Sequence, residues 1–287
     1  MIKNTFLHIP GIGIKTEQRF WESGIHSWED FTPDFPMRLS PAKRTTITAH
    51  LEESKQHIKS GNARYFASRL STDQLWRIFP EFRRATVYLD IETTGLKMWG
   101  FEITTIALYN GEAIFYYVKD KNLGDFLDEI KKYQVIVTYN GKSFDIPFIE
   151  YQFGVKLNQA HIDLRHVLAS LGFTGGLKRC ETQLGIDRGA LKDLDGFFAV
   201  LLWYDYRHNG NEKALETLLA YNIQDAVNLE TLMVIAYNLK LNNTPFYRNR
   251  LVEPVLPQLP FGADLEIVAR IRKEAGLSAM GDHARRP

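Results

Sequence analysis

The sequence contains one cysteine, Cys180, in 287 residues. No intrachain disulfide can form, so nothing points to an oxidising compartment. A lone thiol of this kind reads as a small buried hydrophobe. Long apolar runs are missing as well: the longest, residues 196–204 (GFFAVLLWY), is far short of the ~20 residues a membrane span requires. The start of the chain, MIKNTFLHIPGIG, has no sustained apolar stretch of the signal-peptide kind. A cytoplasmic protein with no membrane contact is expected. His161 and His166 lack a cysteine pair or a close third ligand, which argues against a zinc centre.

Net charge is scarce too, at +1, but the balance hides a pattern. Residues 1–84 carry 13 Lys/Arg against 9 Asp/Glu, residues 85–238 carry 14 against 20, and residues 239–287 carry 8 against 5. An acidic middle between basic flanks suits a cation-requiring core with phosphate-attracting arms, although it excludes nothing.

What is present is an ordinary globular composition, 45% hydrophobic and 24% charged. Residues 1–60 read as short helices: one over 16–24 after a Pro-Gly-Ile-Gly turn, then a longer polar one over 41–59, with Pro33, Pro36 and Pro41 as punctuation. A break at Ser60-Gly61-Asn62 leads to a helical connector over 61–84. From residue 85 the pattern changes to strands. Residues 85–91 (ATVYLDI), 102–109 and 113–118 are strand candidates, the last two separated by the hairpin signal Asn110-Gly111. A helix over 123–133, a buried strand over 134–139 and a helix over 145–153 follow. The remainder to residue 240 reads as helices over 164–171, 176–184, 190–206, 211–222 and 223–239. The expectation is an α/β protein: a mixed β-sheet flanked by helices at 85–240, preceded by a small helical domain. Residues 241–287 form a Pro-rich extended tail with a short helix over 264–275.

Asp90 and Glu92 close the first strand two residues apart, so both side chains share one face of the sheet. Acids are disfavoured in strands, which makes the pair unusual. Asp145 follows the buried strand, where helix capping is an equally good explanation. Tyr221 and Asp225 are four apart and stack on one helical face. Each acid alone has a bland reading. Brought together, two carboxylates ~5 Å apart would repel by roughly 3 kcal/mol at an effective dielectric of ~20. Divalent cations remove that cost, and hard oxygen ligands suit Mg²⁺ or Mn²⁺.

Asp90-Ile-Glu92-Thr-Thr-Gly, Tyr139-Asn140-Gly141 through Phe144-Asp145, and Tyr221-x-x-x-Asp225 resemble, in order, the three exonuclease motifs of the DEDD superfamily. The tyrosine resembles that of the DEDDy branch, which includes proofreading domains of family B DNA polymerases. A closer resemblance is to stand-alone bacterial predicted exonucleases of the YprB type, over residues 63–240. The resemblance implies a ribonuclease H-like fold and two divalent ions, Mg²⁺ or Mn²⁺, held by Asp90, Glu92, Asp145 and Asp225. It implies a Tyr221 that orients the attacking water, and 3′–5′ release of nucleoside 5′-monophosphates from a single-stranded 3′ end, DNA favoured over RNA. Thr93, Thr94, Leu96, Asn140 and Phe144 become candidates to contact the terminal nucleotide.

Ile9-Pro10-Gly11-Ile12-Gly13-Ile14-Lys15-Thr16 resembles a helix-hairpin-helix. That resemblance implies backbone contacts to nucleic-acid phosphates at Gly11 and Gly13, with Lys15 and Arg19 supplying charge. Asp163 is either a helix N-cap before Leu164 or a fifth acid. Lys142, Lys178 and Arg179 are either solvated surface or part of a substrate path. The competing functions are a non-catalytic nucleic-acid-binding or scaffold protein on the same fold, and a nuclease directed at RNA or short oligonucleotides.

Overall fold

The computed structural model describes residues 1–32, 39–95 and 100–276. Pro33 and Pro36 lie outside the described residues, as does Leu96.

The chain opens with a short 3-10 turn, Ile2–Asn4, and then α1 (Ile14–Glu22), whose N-cap is Gly13. Helix α2 (Pro41–Lys59) starts where Ser40 caps the backbone N–H of Lys43 and Pro41 fits the first turn. Two short helices, α3 (Ala63–Ala67) and α4 (Phe79–Phe82), flank a 3-10 stretch, Thr72–Ile78. The apolar faces of these elements join the main core. Ile2, Phe6, Phe20, Trp28, Phe66, Trp76 and Phe79 belong to the same hydrophobic cluster as Tyr88 of the sheet and Tyr237.

Five strands form one sheet among the described residues: β1 (Thr86–Thr93), β2 (Ile103–Tyr109), β3 (Ile114–Val118), β4 (Val135–Thr138) and β5 (Ala160–Asp163). Their order is β3-β2-β1-β4-β5, with β1 antiparallel to β2 and parallel to β4. Asn110 turns the β2–β3 hairpin, its side-chain oxygen accepting from the backbone of Glu112 and Ala113. Helix α5 (Phe126–Ile130) lies between β3 and β4, and α6 (Asp145–Phe153) between β4 and β5. Then come α7 (Leu164–Ala169), α8 (Leu177–Gln183), α9 (Gly196–Asn209), α10 (Glu212–Leu241) and α11 (Leu265–Glu274).

Alternation along β1 sorts its side chains to two layers. Val87, Leu89 and Ile91 face Phe126 of α5 and Phe148 and Ile149 of α6. Tyr88 points the other way, into the core that α10 fills with Leu218, Leu229 and Met233. Asp90 and Glu92 share the parity of Tyr88, so the strand presents them to α10. Parallel pairing of β1 with β4 covers only Thr86–Tyr88. Beyond it the two strands part at their C-terminal ends, where open α/β sheets keep their ligand crevices.

Three expectations are corrected. The stretch read as helical at 190–206 is a 3-10 turn, Gly189–Leu191, followed by α9, because Asp195 caps Phe198 and restarts the helix. The two helices expected at 211–222 and 223–239 are one 30-residue helix, α10. Strand β5 was not anticipated: its four residues are too few to show a period, and Asp163 closes it while also capping α7 through Arg165. The tail after α10 runs extended along the core, where Asn238 exchanges two hydrogen bonds with the backbone of Leu251. No helix among the described residues is long and apolar enough to cross a membrane.

Candidate metal centre

Asp90 and Glu92 from β1 meet Asp225 from α10. Each offers a carboxylate oxygen, and the three oxygens lie within 4.8 Å of one another. All three belong to a cavity of about 190 Å³ that Asp145, Tyr221, Thr93, Tyr139, Asn140, Phe144 and Leu177 also line. The donor set is all carboxylate oxygen, which is the chemistry that suits a hard divalent cation. The residues present therefore fit such an ion.

Asp145 reaches the site from the other layer. It opens α6, and its Oδ1 accepts from the backbone N–H of Ile91 at 3.3 Å. That contact occupies the edge of β1 which β4 has left unpaired. The loop before it is held tightly. Asp163 accepts from the backbone N–H groups of Asn140 (2.8 Å) and Lys142 (3.0 Å), so the acid weighed as a fifth ligand is a fully buried loop anchor. Asn140 itself sits at φ +66°. At Gly141 a β-carbon would run into the Thr138 side chain, so only glycine lets the chain turn there.

Crowding of carboxylates in a largely buried site shifts their protonation. Burial, then the neighbouring Asp225 and Asp145 charges, push Asp90 and Glu92 well above the usual carboxylate range. Burial likewise raises Asp145, to about 7. Tyr221 is only 4% exposed, and burial followed by the Asp225 charge raises its hydroxyl far above 10. It can donate a hydrogen bond but cannot act as a base near neutral pH.

Asn222, Arg188, Glu181 and Asn228, which sequence reasoning passed over, complete the surroundings together with Lys178, the residue read as either solvated surface or substrate path. Asn222 donates to Asp90 Oδ2 at 2.7 Å, one position after Tyr221 on the same helix. Arg188 donates to Asp225 and, at 2.6 Å, to Glu181, which also accepts from Asn228 at 2.8 Å. Lys178 sets its ammonium 4.7 Å from the centre of the Tyr221 ring. Its nitrogen is buried with no hydrogen-bond partner. Nothing local in the sequence ties Arg188 to an acid 37 positions away.

Of the nucleotide-contact candidates, Thr93, Asn140 and Phe144 line the cavity. The Thr93 hydroxyl is already given to the carbonyl of Gly95 at 2.6 Å. Thr94 faces elsewhere: its hydroxyl accepts from the N–H of Glu102 at 3.0 Å and ties down the strand end. Leu96 lies outside the described residues. At the N-terminus, Gly11 adopts φ +76°, and Gly13, Lys15 and Arg19 are exposed around the start of α1. Lys43 of α2 joins them, its Nζ 3.4 Å from the carbonyl of Gly11. The segment before this turn is the 3-10 turn Ile2–Asn4 rather than an α-helix.

Residues 87–237 match the profile of the family RNase_H_2, described as RNase_H superfamily. Among curated proteins none matches the chain. A family B DNA polymerase from the hyperthermophilic archaeon Pyrobaculum calidifontis is similar in structure, at 16% identity and a TM-score of 0.43. That similarity covers 55% of this chain and 24% of the polymerase. The family match spans more than half of the chain, which belongs to RNase_H_2.

Proposed function

We propose that this member of the RNase_H superfamily is a metal-dependent 3′–5′ exonuclease of the DEDDy type. It would release nucleoside 5′-monophosphates from single-stranded 3′ ends, of DNA in preference to RNA. The observation that carries the reading is the convergence of Asp90, Glu92 and Asp225 within 4.8 Å at the open end of β1, with Tyr221 and Asp145 lining the same cavity.

Asp90, Glu92 and Asp225 would hold one ion, and Asp90 with Asp145 a second. Bound Mg²⁺ or Mn²⁺ supplies Lewis-acid stabilisation of phosphate oxygens and a water made acidic enough to attack. The chain's own groups do the rest. Tyr221 stays protonated, so its O–H is a fixed donor that orients the incoming water rather than deprotonating it. Asn222 holds Asp90 at one rotamer through a 2.7 Å hydrogen bond. Phe144 and Asn140 border the cavity on the α6 side and offer a ring face and an amide to the terminal nucleotide. Gly11, Gly13, Lys15 and Arg19 would contact the phosphate backbone away from the scissile bond, since a helix N-terminus leaves N–H groups unpaired.

The test is digestion of 5′-labelled single-stranded DNA, duplex DNA and RNA with Mg²⁺ or Mn²⁺. A ladder shortening from the 3′ end supports the proposal. Internal cuts would make the protein an endonuclease, and binding without products would make it a non-catalytic binder.

A further inference from the structure

Three of the four clustered acids have no cationic hydrogen-bond partner among the described residues. Asp90 meets a neutral amide, Asp145 a backbone N–H, and Glu92 no side-chain donor. Asp225 alone is ion-paired, to Arg188. This arginine is not a surface group that happens to lean in. Its side chain is 4% exposed, and its other guanidinium nitrogen is fixed on Glu181, which is fully buried. Glu181 is fixed in turn by Asn228, three residues after Asp225 on α10. One guanidinium thus spans two carboxylates, one in the candidate centre and one outside it.

The geometry points to Arg188 as a resident counter-cation that competes with a divalent ion for Asp225, with Glu181 as the anchor that limits how much of its charge Asp225 receives. The inference rests on reading the acid cluster as a metal site. A guanidinium and a metal ion both draw on the negative charge of the Asp225 carboxylate, the guanidinium through Oδ1. Loading the site therefore exchanges a charge-assisted hydrogen bond for a coordination bond, and Glu181 keeps the displaced arginine paired. Without the metal the arginine lowers the repulsion among acids, so the cleft holds its shape while empty of cations. Removing the two partners must then act in opposite directions. Arg188→Gln leaves Asp225 open to the ion. Glu181→Gln leaves the guanidinium with Asp225 as its only anionic partner.

Mn²⁺ titration of the full-length chain by calorimetry reads this without reference to activity. Thermal unfolding in chelator establishes that each variant is folded. Arg188→Gln is expected to bind Mn²⁺ about tenfold more tightly than the parent, and Glu181→Gln a fewfold more weakly, as removal or concentration of one unit charge at this range implies. In an Asp225→Asn background the gain from Arg188→Gln disappears, because the competition passes through that carboxylate. Weaker binding in both single variants, or no change in either, overturns the exchange and leaves Arg188 as a prop. An equal gain in the Asp225→Asn background also overturns it, since the effect would then be a general field. Should Arg188→Gln not fold, Glu181→Gln decides: unchanged or tighter binding overturns the inference. If the parent chain binds no Mn²⁺ at all, the metal-site reading fails together with it, an outcome distinct from the others.

Discussion

Two of the places where the molecule buries charge treat it in opposite ways. Behind α1, Glu17 is 1% exposed. It accepts from the Thr5 hydroxyl and the Phe6 N–H and pairs with Arg77 at 3.0 Å. Arg77 is itself held by Gln74 and Thr5. The charge is balanced on the spot and joins the N-terminal helices to the connector that precedes β1. At the end of β1, four acids line one cavity, and only Asp225 among them is paired with an arginine. Folding does not require that second arrangement, since an apolar strand end would cost nothing. A buried acid cluster left short of positive charge is compatible with a bound divalent cation, as proposed for this centre.

The sharpest break of this contrast is to neutralise one charged group in each place. Asp90→Asn keeps an acceptor for Asn222 and should cut nuclease turnover by about a thousandfold or more, because a ligand oxygen and its charge are lost. Its melting temperature in chelator should stay level or rise, since repulsion is relieved. A fall of several degrees would mean the acids stabilise the fold, and the contrast would collapse. The matching change, Arg77→Met, leaves Glu17 buried without its cation and should cost about 3–5 kcal/mol in urea unfolding.

Much of this is legible in the sequence. A period of two placed Asp90 and Glu92 on one face, and a spacing of four placed Tyr221 with Asp225, because both patterns live within one element. What failed needed information from outside the element. Asn222 looked like a break between two helices, yet its amide is buried and bonded to Asp90. A polar residue inside a long apolar helix is tolerated there because a carboxylate from β1 satisfies it. Strand β5 was hidden by its brevity, and its final residue spends its carboxylate on the backbone of a neighbouring loop. Thr94 carried the right motif position but uses its hydroxyl to pin Glu102.

The two regions should also titrate with opposite signs. Asp145 has a folded pKa of about 7, raised by burial from an ordinary 3.8. The native state then holds a proton that the unfolded chain releases, so stability declines as pH rises from about 4 to about 7, by ~2–4 kcal/mol in metal-free protein. Asp90 and Glu92 act in the same direction. His8 behaves in reverse: burial lowers its pKa to about 3 from 6.5, so its stabilising contribution is full above 6.5 and lost as pH falls toward 3. Hydrogen exchange followed from pH 4.5 to 6.5 in chelator should show protection rising around Phe6–Ile9 and falling around Asp90–Glu92. Mn²⁺ at the upper pH should restore the second region and leave the first alone. Parallel changes in both would refute the assignment of separate causes.

A smaller effect separates orienting from base chemistry. Tyr221→Phe removes one hydroxyl from a ring that keeps its contacts with Lys178 and Arg188. Loss of an orienting hydrogen bond should lower kcat by ~10–100-fold, with KM little changed. The remaining activity should keep the parent's dependence on pH between 7 and 9. A new pH dependence in the variant would mean that the tyrosine had been acting as the base.

The smallest expected effect tests whether the N-terminal region, so well balanced inside, is built to meet charge outside. Lys15 and Arg19 are exposed around the Gly11-Ile12-Gly13 turn, and Lys43 leans on Gly11 from α2. Each is a single solvated cation, so any one contact is screened and weak. Replacing Lys15 and Lys43 together with alanine should weaken binding of a single-stranded oligonucleotide by a fewfold at 50 mM salt. The decisive quantity is the slope. Each lost phosphate contact should reduce the dependence of log K on log salt by about 0.7, so two give a change near 1.4, while kcat on a saturating short substrate stays at the parental value. An unaltered slope would leave the turn a structural feature of the core that it shares with the sheet. A reduced slope with unchanged turnover would assign phosphate attraction to the basic arm and chemistry to the acidic cleft.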